Sequence, residues 1–461
     1  MFHSVQLNFL FLFSIVFLFP ACFVNGQEIE SAEFRSSSDV NVLYHEKSPS
    51  LLVDLYSVHH EFSGKLKSGS SSFSFYWETD HELYRYKTAK NKLDLKIGTG
   101  QNNFSFLWKF THSDLFIEPG ISVSLSDFGT RFGFGLTLGW KPDNGNEIQA
   151  SYFKREKSFY HEWNIEDSHP QFNQWSDIND LKVSGTYSPF GELSLKSEIR
   201  KQFYSVGSVS EPFSDSSKYD NLSYSAEIIF RPNNRMNSWV KFSDFSGSGD
   251  PDFRFQKFSF SSFNNGKTTD RQFSAGVLYD TQKSWEVGTE FNYRKLEISS
   301  SGLLQSFPFT AGVISILGDY YFFSLDGKIS SYNLDVAGIY YYEEQKSLTL
   351  KTGYQLVEPD LFLQTWEPLF FTVGRKNEKT KQLDFTRLHI IPLTVQWKFK
   401  IKSYSVDLMV NQLIPVYAEK KSKSSSPGNN SSGSSSSSSG TQPEKFVWGG
   451  TNLKISIGYE I

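Results

Sequence analysis

Phe104, Phe106, Trp108 and Phe110 take every second position of their segment, with Asn103, Ser105 and Lys109 among the residues between them. The same alternation runs through Phe132, Phe134, Leu136, Leu138 and Trp140, where Gly133, Gly135, Thr137 and Gly139 fill the other phase. It returns at Leu222, Tyr224, Ala226, Ile228 and Phe230, and again over 285–293, 348–356, 393–401 and 453–461. A strand turns alternate side chains to opposite faces, so each segment has one apolar and one polar face. Helical spacing fits none of them. Each run is about 9–11 residues, the length a tilted strand needs to cross a bilayer. Aromatic residues make up 17% of the chain, with 44 Phe and 23 Tyr, yet hydrophobic residues total only 38%. Many aromatics without long apolar runs is what such alternation produces. After the first 26 residues there is no apolar stretch long enough for a spanning helix.

The connections alternate between short and long. Turn-rich links stand at Pro142-Asp143-Asn144-Gly145, Pro189-Phe190-Gly191, Pro232-Asn233-Asn234, Thr281-Gln282-Lys283 and Glu343-Glu344-Gln345-Lys346. Polar segments expected to be long loops cover 158–178, 204–220, 246–270 and 357–384. Short turns on one side and long loops on the other are the pattern of a transmembrane β-barrel. Trp140, Tyr187, Phe230, Tyr279 and Tyr342 each precede one of the short turns. Rings with an apolar body collect where lipid meets water, so these five are the candidate membrane girdle. The expectation is an all-β chain: a transmembrane antiparallel barrel of about 18–20 strands with short periplasmic turns and long extracellular loops. A soluble secreted propeller is the alternative fold.

The first 26 residues read as a secretory signal. A short polar start precedes an apolar run from Leu7 to Val24, and polar Gln27-Glu28 follows Gly26. The sole cysteine, Cys22, lies inside that run, either as one more apolar residue or as a lipidation site. Cleavage after Gly26 would leave about 435 residues without cysteine, hence without disulfides or thiolate metal sites. Residues 27–50 are expected to form a periplasmic tail or a small plug, and the barrel to occupy 51–461. Within it, the Ser-rich stretch 422–440 is expected to be a flexible extracellular loop.

The chain finishes on Lys454-Ile455-Ser456-Ile457-Gly458-Tyr459-Glu460-Ile461, a strand with apolar residues at alternate positions. Here it resembles bacterial outer-membrane β-barrel proteins of the porin-like kind, without matching one specific family. In those proteins the last strand ends the sequence and is read by the barrel assembly machinery. They prefer glycine where Ser456 stands and phenylalanine where Ile461 stands. The resemblance implies the bacterial outer membrane, lipid contact along the wall and, as an open possibility, a homotrimer.

Catalytic signatures are missing: there is no nucleophile elbow, phosphate-cradling loop or paired-histidine zinc motif. His59-His60 is the only histidine doublet, and adjacent strand residues face opposite ways, so the two cannot chelate one metal. Neither enzyme activity nor a cofactor is expected. With a net charge of −4 and no basic run, nucleic acid is not an expected partner. Out of phase with the apolar stripe stand about 14 cations against about 8 anions, which would make the lumen net positive. The pore-lining candidates are Arg131, Lys196, Arg200, Glu286, Glu290, Arg294, Lys351, Lys398, Lys400 and Lys402. The last three read as successive inward positions of one sign. Two readings stand side by side: a stripe favouring anionic solutes, or Lys and Glu on neighbouring strands pairing to stiffen the wall. The expected function is an outer-membrane channel for hydrophilic solutes, anionic ones on the first of these readings, with loop 246–270 or 357–384 folding in as a constriction. Alternatives are a surface platform that binds a ligand through loops such as 158–178, or an exporter of an anionic polymer or lipid.

Overall fold

The computed structural model describes residues 28–45, 51–88, 93–126, 129–143, 145–165, 171–208, 213–215, 218–250, 252–255, 258–281, 284–306, 320–368, 375–382, 385–420 and 448–460. The signal-like segment with Cys22 and the Ser-rich stretch 422–440 lie outside these residues. All elements are strands: β1 (Glu28–His45), β2 (Leu51–Ser68), β3 (Ser71–Thr88), β4 (Leu93–His112), β5 (Leu115–Ser126), β6 (Gly129–Trp140) and β7 (Glu147–Ile165). There follow β8 (Gln171–Phe190), β9 (Leu193–Ser208), β10 (Phe213–Asp215), β11 (Lys218–Asn233), β12 (Met236–Asp250), β13 (Asp252–Phe255) and β14 (Phe258–Asp280). The last are β15 (Trp285–Ser306), β16 (Tyr320–Glu343), β17 (Lys346–Pro368), β18 (Arg375–Gln382), β19 (Phe385–Ile401), β20 (Tyr404–Lys420) and β21 (Trp448–Glu460).

Every described pairing is antiparallel, and β21 pairs with β1 over Trp448–Glu460, which closes the sheet on itself. Eighteen strands form the ring. The short β10, β13 and β18 pair above it, with β13, β14 and β17 among their partners. Closure leaves no sheet edge, the condition a β-structure must meet inside lipid. The expected class is therefore what the structure shows, at the lower end of the expected strand number.

Two expectations are corrected. Residues 27–50 are not a tail or plug, because Glu28–His45 is a wall strand between β2 and β21. Ser36, Ser37 and Ser38 put polar residues on both faces there, which hides the alternation. Nor are the four long polar segments mainly loops. Residues 158–165 and 171–178 continue the β7–β8 ladder up to Glu162↔Gln171, and 357–368 and 375–382 pair as β17 and β18. Likewise 204–208 and 218–220 extend β9 and β11, and 258–270 extends β14 against β15. Strands that stand above the lipid satisfy their own backbone groups and carry polar residues on both faces. Nothing in those described stretches folds across the lumen.

The outward face is apolar. Phe132 is 70% exposed, and Leu115, Ile117, Phe134, Leu181, Ile199, Ile228, Leu334, Leu350 and Ile457 are exposed in the same phase. On β3 and β4, Phe75, Trp77 and Phe104 cluster in this phase, with Phe75 and Phe106 rings 5.1 Å apart. Outward charged pairs follow higher up: Lys154–Asp177 at 3.3 Å, Arg271–Asp244 at 3.4 Å and Lys295–Glu297 at 2.6 Å.

At the short-turn end, Asp143 caps its turn. Its carboxylate accepts from the Gly145 and Asn146 backbone N–H groups and from Asn146 Nδ2, each at 2.7 Å. Asn146 in turn accepts from Ser188 N at 2.9 Å, tying the turn to β8. These hydrogen bonds hold the Asp143 carboxyl below its ordinary range, the Asn146 side chain contributing most. A lowered folded-state pKa gives stability that is present above the unfolded value and lost as pH falls through the folded one. The urea midpoint of the wild type should therefore exceed that of Asp143→Ala at neutral pH. The gap should close as pH is lowered through and below the ordinary carboxylate range.

Several inward aromatics lie flat over glycines of the next strand. The Phe153 ring sits where a Cβ on Gly135 would be and touches the Gly120 position, and Phe116 does the same over Gly139. Lys109 Nζ stands 3.5 Å from the Phe116 ring centre on its lumen side. Gly135→Leu should lower stability by about 1–3 kcal/mol by displacing that ring. The loss should shrink in Gly135→Leu/Phe153→Ala, read from urea midpoints of the two proteins.

Candidate functional site: the lumen wall

With the outward phase fixed by the exposed apolar residues, the ladder register assigns every other position to the lumen. Arg131, Lys196, Arg200, Glu286, Glu290, Arg294, Lys351, Lys398 and Lys400 all fall there. Lys402 does not: it sits in the turn after β19 with φ 54°, so the expected three-residue stripe is two wall positions and a turn.

Nearly all of these side chains have a partner across a strand boundary. Asp180, 4% exposed, receives Arg200 Nε at 2.8 Å and Arg155 Nη2 at 3.0 Å. Lys182 meets Glu198 at 2.9 Å, and Lys196 meets Glu227 at 3.4 Å on the directly opposite position of β11. Arg294 grips Asp270 with two bonds of 3.0 and 2.8 Å. Lys351 bridges Glu290 at 3.1 Å and Asp335 at 2.8 Å, and Asn333 Nδ2 donates to the same Asp335 at 2.7 Å. Tyr341 donates to Glu286 at 3.1 Å. Lys398 reaches Asp407 at 3.9 Å, a carboxylate that also accepts twice from Gln396.

Of the two sequence readings of these charges, wall-stiffening pairs match the geometry. Asp180, Asp270 and Asp407 are the acids that sequence reasoning misses. Asp270 falls in a segment read as a loop, Asp180 just beyond another, and Asp407 on a strand whose alternation is blurred by Asn411 and Gln412. Only the register tells which acid faces which base.

Cations concentrate on one stretch of wall. Arg35, Lys398, Lys400 and Lys454 surround a cavity of about 530 Å³ that also takes in Asp407, His59 and Glu61. Arg35 was not a candidate, because its strand was not. The histidine doublet splits as expected: His59 faces this cavity, while His60 points outward, its Nδ1 2.9 Å from Ser36 Oγ. Among the described residues no group of acids, histidines and cysteines could hold a metal ion.

The five residues expected to form a membrane girdle, Trp140, Tyr187, Phe230, Tyr279 and Tyr342, are all exposed, in the outward phase, at the short-turn ends of β6, β8, β11, β14 and β16. Trp397 donates from its indole N–H to the Tyr342 hydroxyl, and Trp285 packs on Tyr340 with ring centres 4.7 Å apart. The aromatic rim thus continues across β15–β19.

No protein-family profile and no curated protein sequence matches the chain. Solved structures do. OpdO from Pseudomonas aeruginosa aligns at 9% identity and a TM-score of 0.41, over 96% of this chain and 99% of that one. OccAB3 from Acinetobacter baumannii aligns at 10% and 0.39, over 94% and 100%. CdiB from Acinetobacter baumannii aligns at 8% and 0.39 over 93% of this chain, which spans only 60% of that protein's length. The architecture defined by the closed ring, the apolar outside and the charged inside is an outer-membrane β-barrel.

Proposed function

We propose that the protein is a channel of the bacterial outer membrane through which hydrophilic solutes diffuse. The observation that carries this reading is the inner wall. It presents charged and polar side chains from strand after strand, in a ring of eighteen that is too wide for its own side chains to fill. A wall built for lipid on one side and water on the other supports passage of water-soluble molecules. Because the wall cations are matched by acids, small-ion selectivity is weak. Any preference for anions comes from the Arg35, Lys398, Lys400 and Lys454 cavity, where bases outnumber acids.

The test is conductance of refolded protein in a planar bilayer under a salt gradient. Discrete steps with a small reversal potential on the anion side, reduced in Lys400→Gln, are expected. A bilayer that stays silent with folded protein inserted would overturn the channel, and strong cation selectivity would overturn the role given to the basic cavity.

A further inference from the structure

The wall is joined unevenly around the β5–β6 hairpin. β4 and β7 flank this hairpin and pair with each other above it, from Leu93↔Ile165 to Gly98↔Tyr160. Where the hairpin ends, two strands that stood three ladder spacings apart, about 14 Å, must close to one spacing of about 5 Å. The gap this leaves is not shared equally. The β4–β5 ladder runs up to Asn102↔Leu125, which leaves only 99–101 of β4 between its two partners. The β6–β7 ladder stops at Phe134↔Lys154, and among the described pairings none joins 130–133 to 155–159. Each of these stretches keeps its other neighbour, β5 for the first and β8 for the second. A Cβ on Gly133 would meet the Lys154 carbonyl oxygen, so the two strands touch there and part above it.

The seam falls at lipid depth. Residues 130–133 lie seven to ten positions above the rim residue Trp140 on β6. At a rise of about 3.3 Å per residue and a tilt near 40° that is about 18–25 Å, the upper part of an apolar belt about 25 Å tall. Phe132 and Phe134 stand beside it on the outside, 70% and 55% exposed. Backbone groups left unjoined at that depth are costly, and a hairpin a few residues longer would have lifted the gap clear of hydrocarbon. Inside, a recess of about 340 Å³ reaches the foot of the seam at Phe134 and Arg155, whose guanidinium is held by Asp180 at 3.0 Å. Leu107, Ile121, Phe134 and Phe153 line it from β4 to β7, whereas His59 and Glu61 line it from β2, where it adjoins the basic cavity. The recess is thus graded round the wall, polar on its far side and apolar toward the seam.

We propose that the β6–β7 seam is a lateral portal, through which apolar solutes that have entered the lumen leave it sideways into the outer leaflet. The recess takes the solute out of lumen water, since apolar surface facing water gains by being covered. The unjoined stretch then lets it pass between the strands with no ladder to break. The channel reading supplies only the solute's entry into the lumen.

The experiment is uptake of the neutral apolar dye N-phenyl-1-naphthylamine, which fluoresces on reaching lipid, by porin-poor bacteria carrying the protein in their outer membrane. Uptake at least about fivefold faster than in cells without the protein is expected. Thr130 and Ser158 would face each other if the β6–β7 ladder were continued upward from Phe134↔Lys154. In Thr130→Cys/Ser158→Cys, made with Cys22→Ser, oxidation therefore sews the seam shut. Uptake should fall to the level of cells lacking the protein and return on reduction, while conductance along the lumen is unchanged. Hydrogen exchange of the unaltered protein in detergent gives a second reading that needs no crosslink. Amides within 130–133 and 155–159 that face the seam should exchange at least about a hundredfold faster than those of 134–140 and 148–154. Protection equal to that of the neighbouring ladders, or dye uptake untouched by the oxidised crosslink, would overturn the proposal. Conductance separates the two readings. Dye uptake by a protein that passes no ions overturns the channel alone, and a conducting pore without dye uptake overturns the portal alone.

Discussion

A protein lacking residues 28–45 will not form a closed barrel. β1 pairs along its length with β2 on one side and with the terminal strand β21 on the other. Its removal exposes two ladder edges to lipid, where each unsatisfied backbone group costs several kcal/mol, on the order of 2–7 by transfer measurements. No rearrangement of the neighbours recovers that loss without shifting register, and a one-residue shift turns every apolar side chain of a strand to the wrong face. The expected result is a protein that never acquires the heat-resistant, fast-migrating form that folded barrels show on gels. Had this segment been a tail or plug, its deletion would leave that form intact and widen the pore. Retention of the fast-migrating form would therefore remove β1 from the wall.

The second large effect concerns Lys351. It joins Glu290 on β15 to Asp335 on β16 from its own place on β17, and Asp335 is only 3% exposed. Lys351→Met leaves two carboxylates facing each other, one of them buried. Breaking a buried pair by removing one partner costs about 3–5 kcal/mol. Lys351 is itself a third exposed, so solvent screening reduces this to about 2–3 kcal/mol. Gly353 leaves no room for relief, since a Cβ there would meet Asp335 Oδ1 and the Leu334 carbonyl. Adding Asp335→Asn should restore a large part of the loss, because it removes the stranded charge while the amide can still bond Asn333. Urea unfolding of the two single variants and the double one completes the cycle. Strictly additive losses would show that the three side chains do not act as one unit.

The ring of strands was legible wherever lipid dictates the alternation. Phe132 to Trp140 and Leu222 to Phe230 face hydrocarbon at every second residue, and nothing else explains them. Legibility ended where lipid does. Residues 158–165 and 171–178 are as much strand as the segments below them, yet their sequence mixes His, Glu, Asn and Gln among the aromatics and reads as a polar connection. β1 hides its period for another reason: Ser36 and Ser38 take the outward phase of a wall strand while Ser37 takes the inward one. The split of His59 from His60 followed from strand geometry alone and needed no register. The pairing of Arg200 with Asp180, or the early end of the β6–β7 ladder, depends on which residue of one strand stands against which of the next. That is fixed by turn length and closure, and composition does not carry it. Lys402 shows the same limit at the other end, one residue past the strand that seemed to include it.

The length of the wall has a consequence for how the entrance meets its surroundings. β16 and β17 run 24 and 23 residues, whereas about 9–11 suffice to traverse the bilayer. At a rise of about 3.3 Å per residue and a tilt near 40°, β16 spans about 60 Å, of which the apolar belt takes about 25 Å. On that side the tube rises like a chimney some 35 Å above the lipid. β5 and β6, with 12 residues each, stop close to the surface. Above that short hairpin β4 pairs directly with β7, from Leu93↔Ile165 to Gly98↔Tyr160, so the raised wall stays closed on this side too and the tube loses two strands between its belt and its mouth.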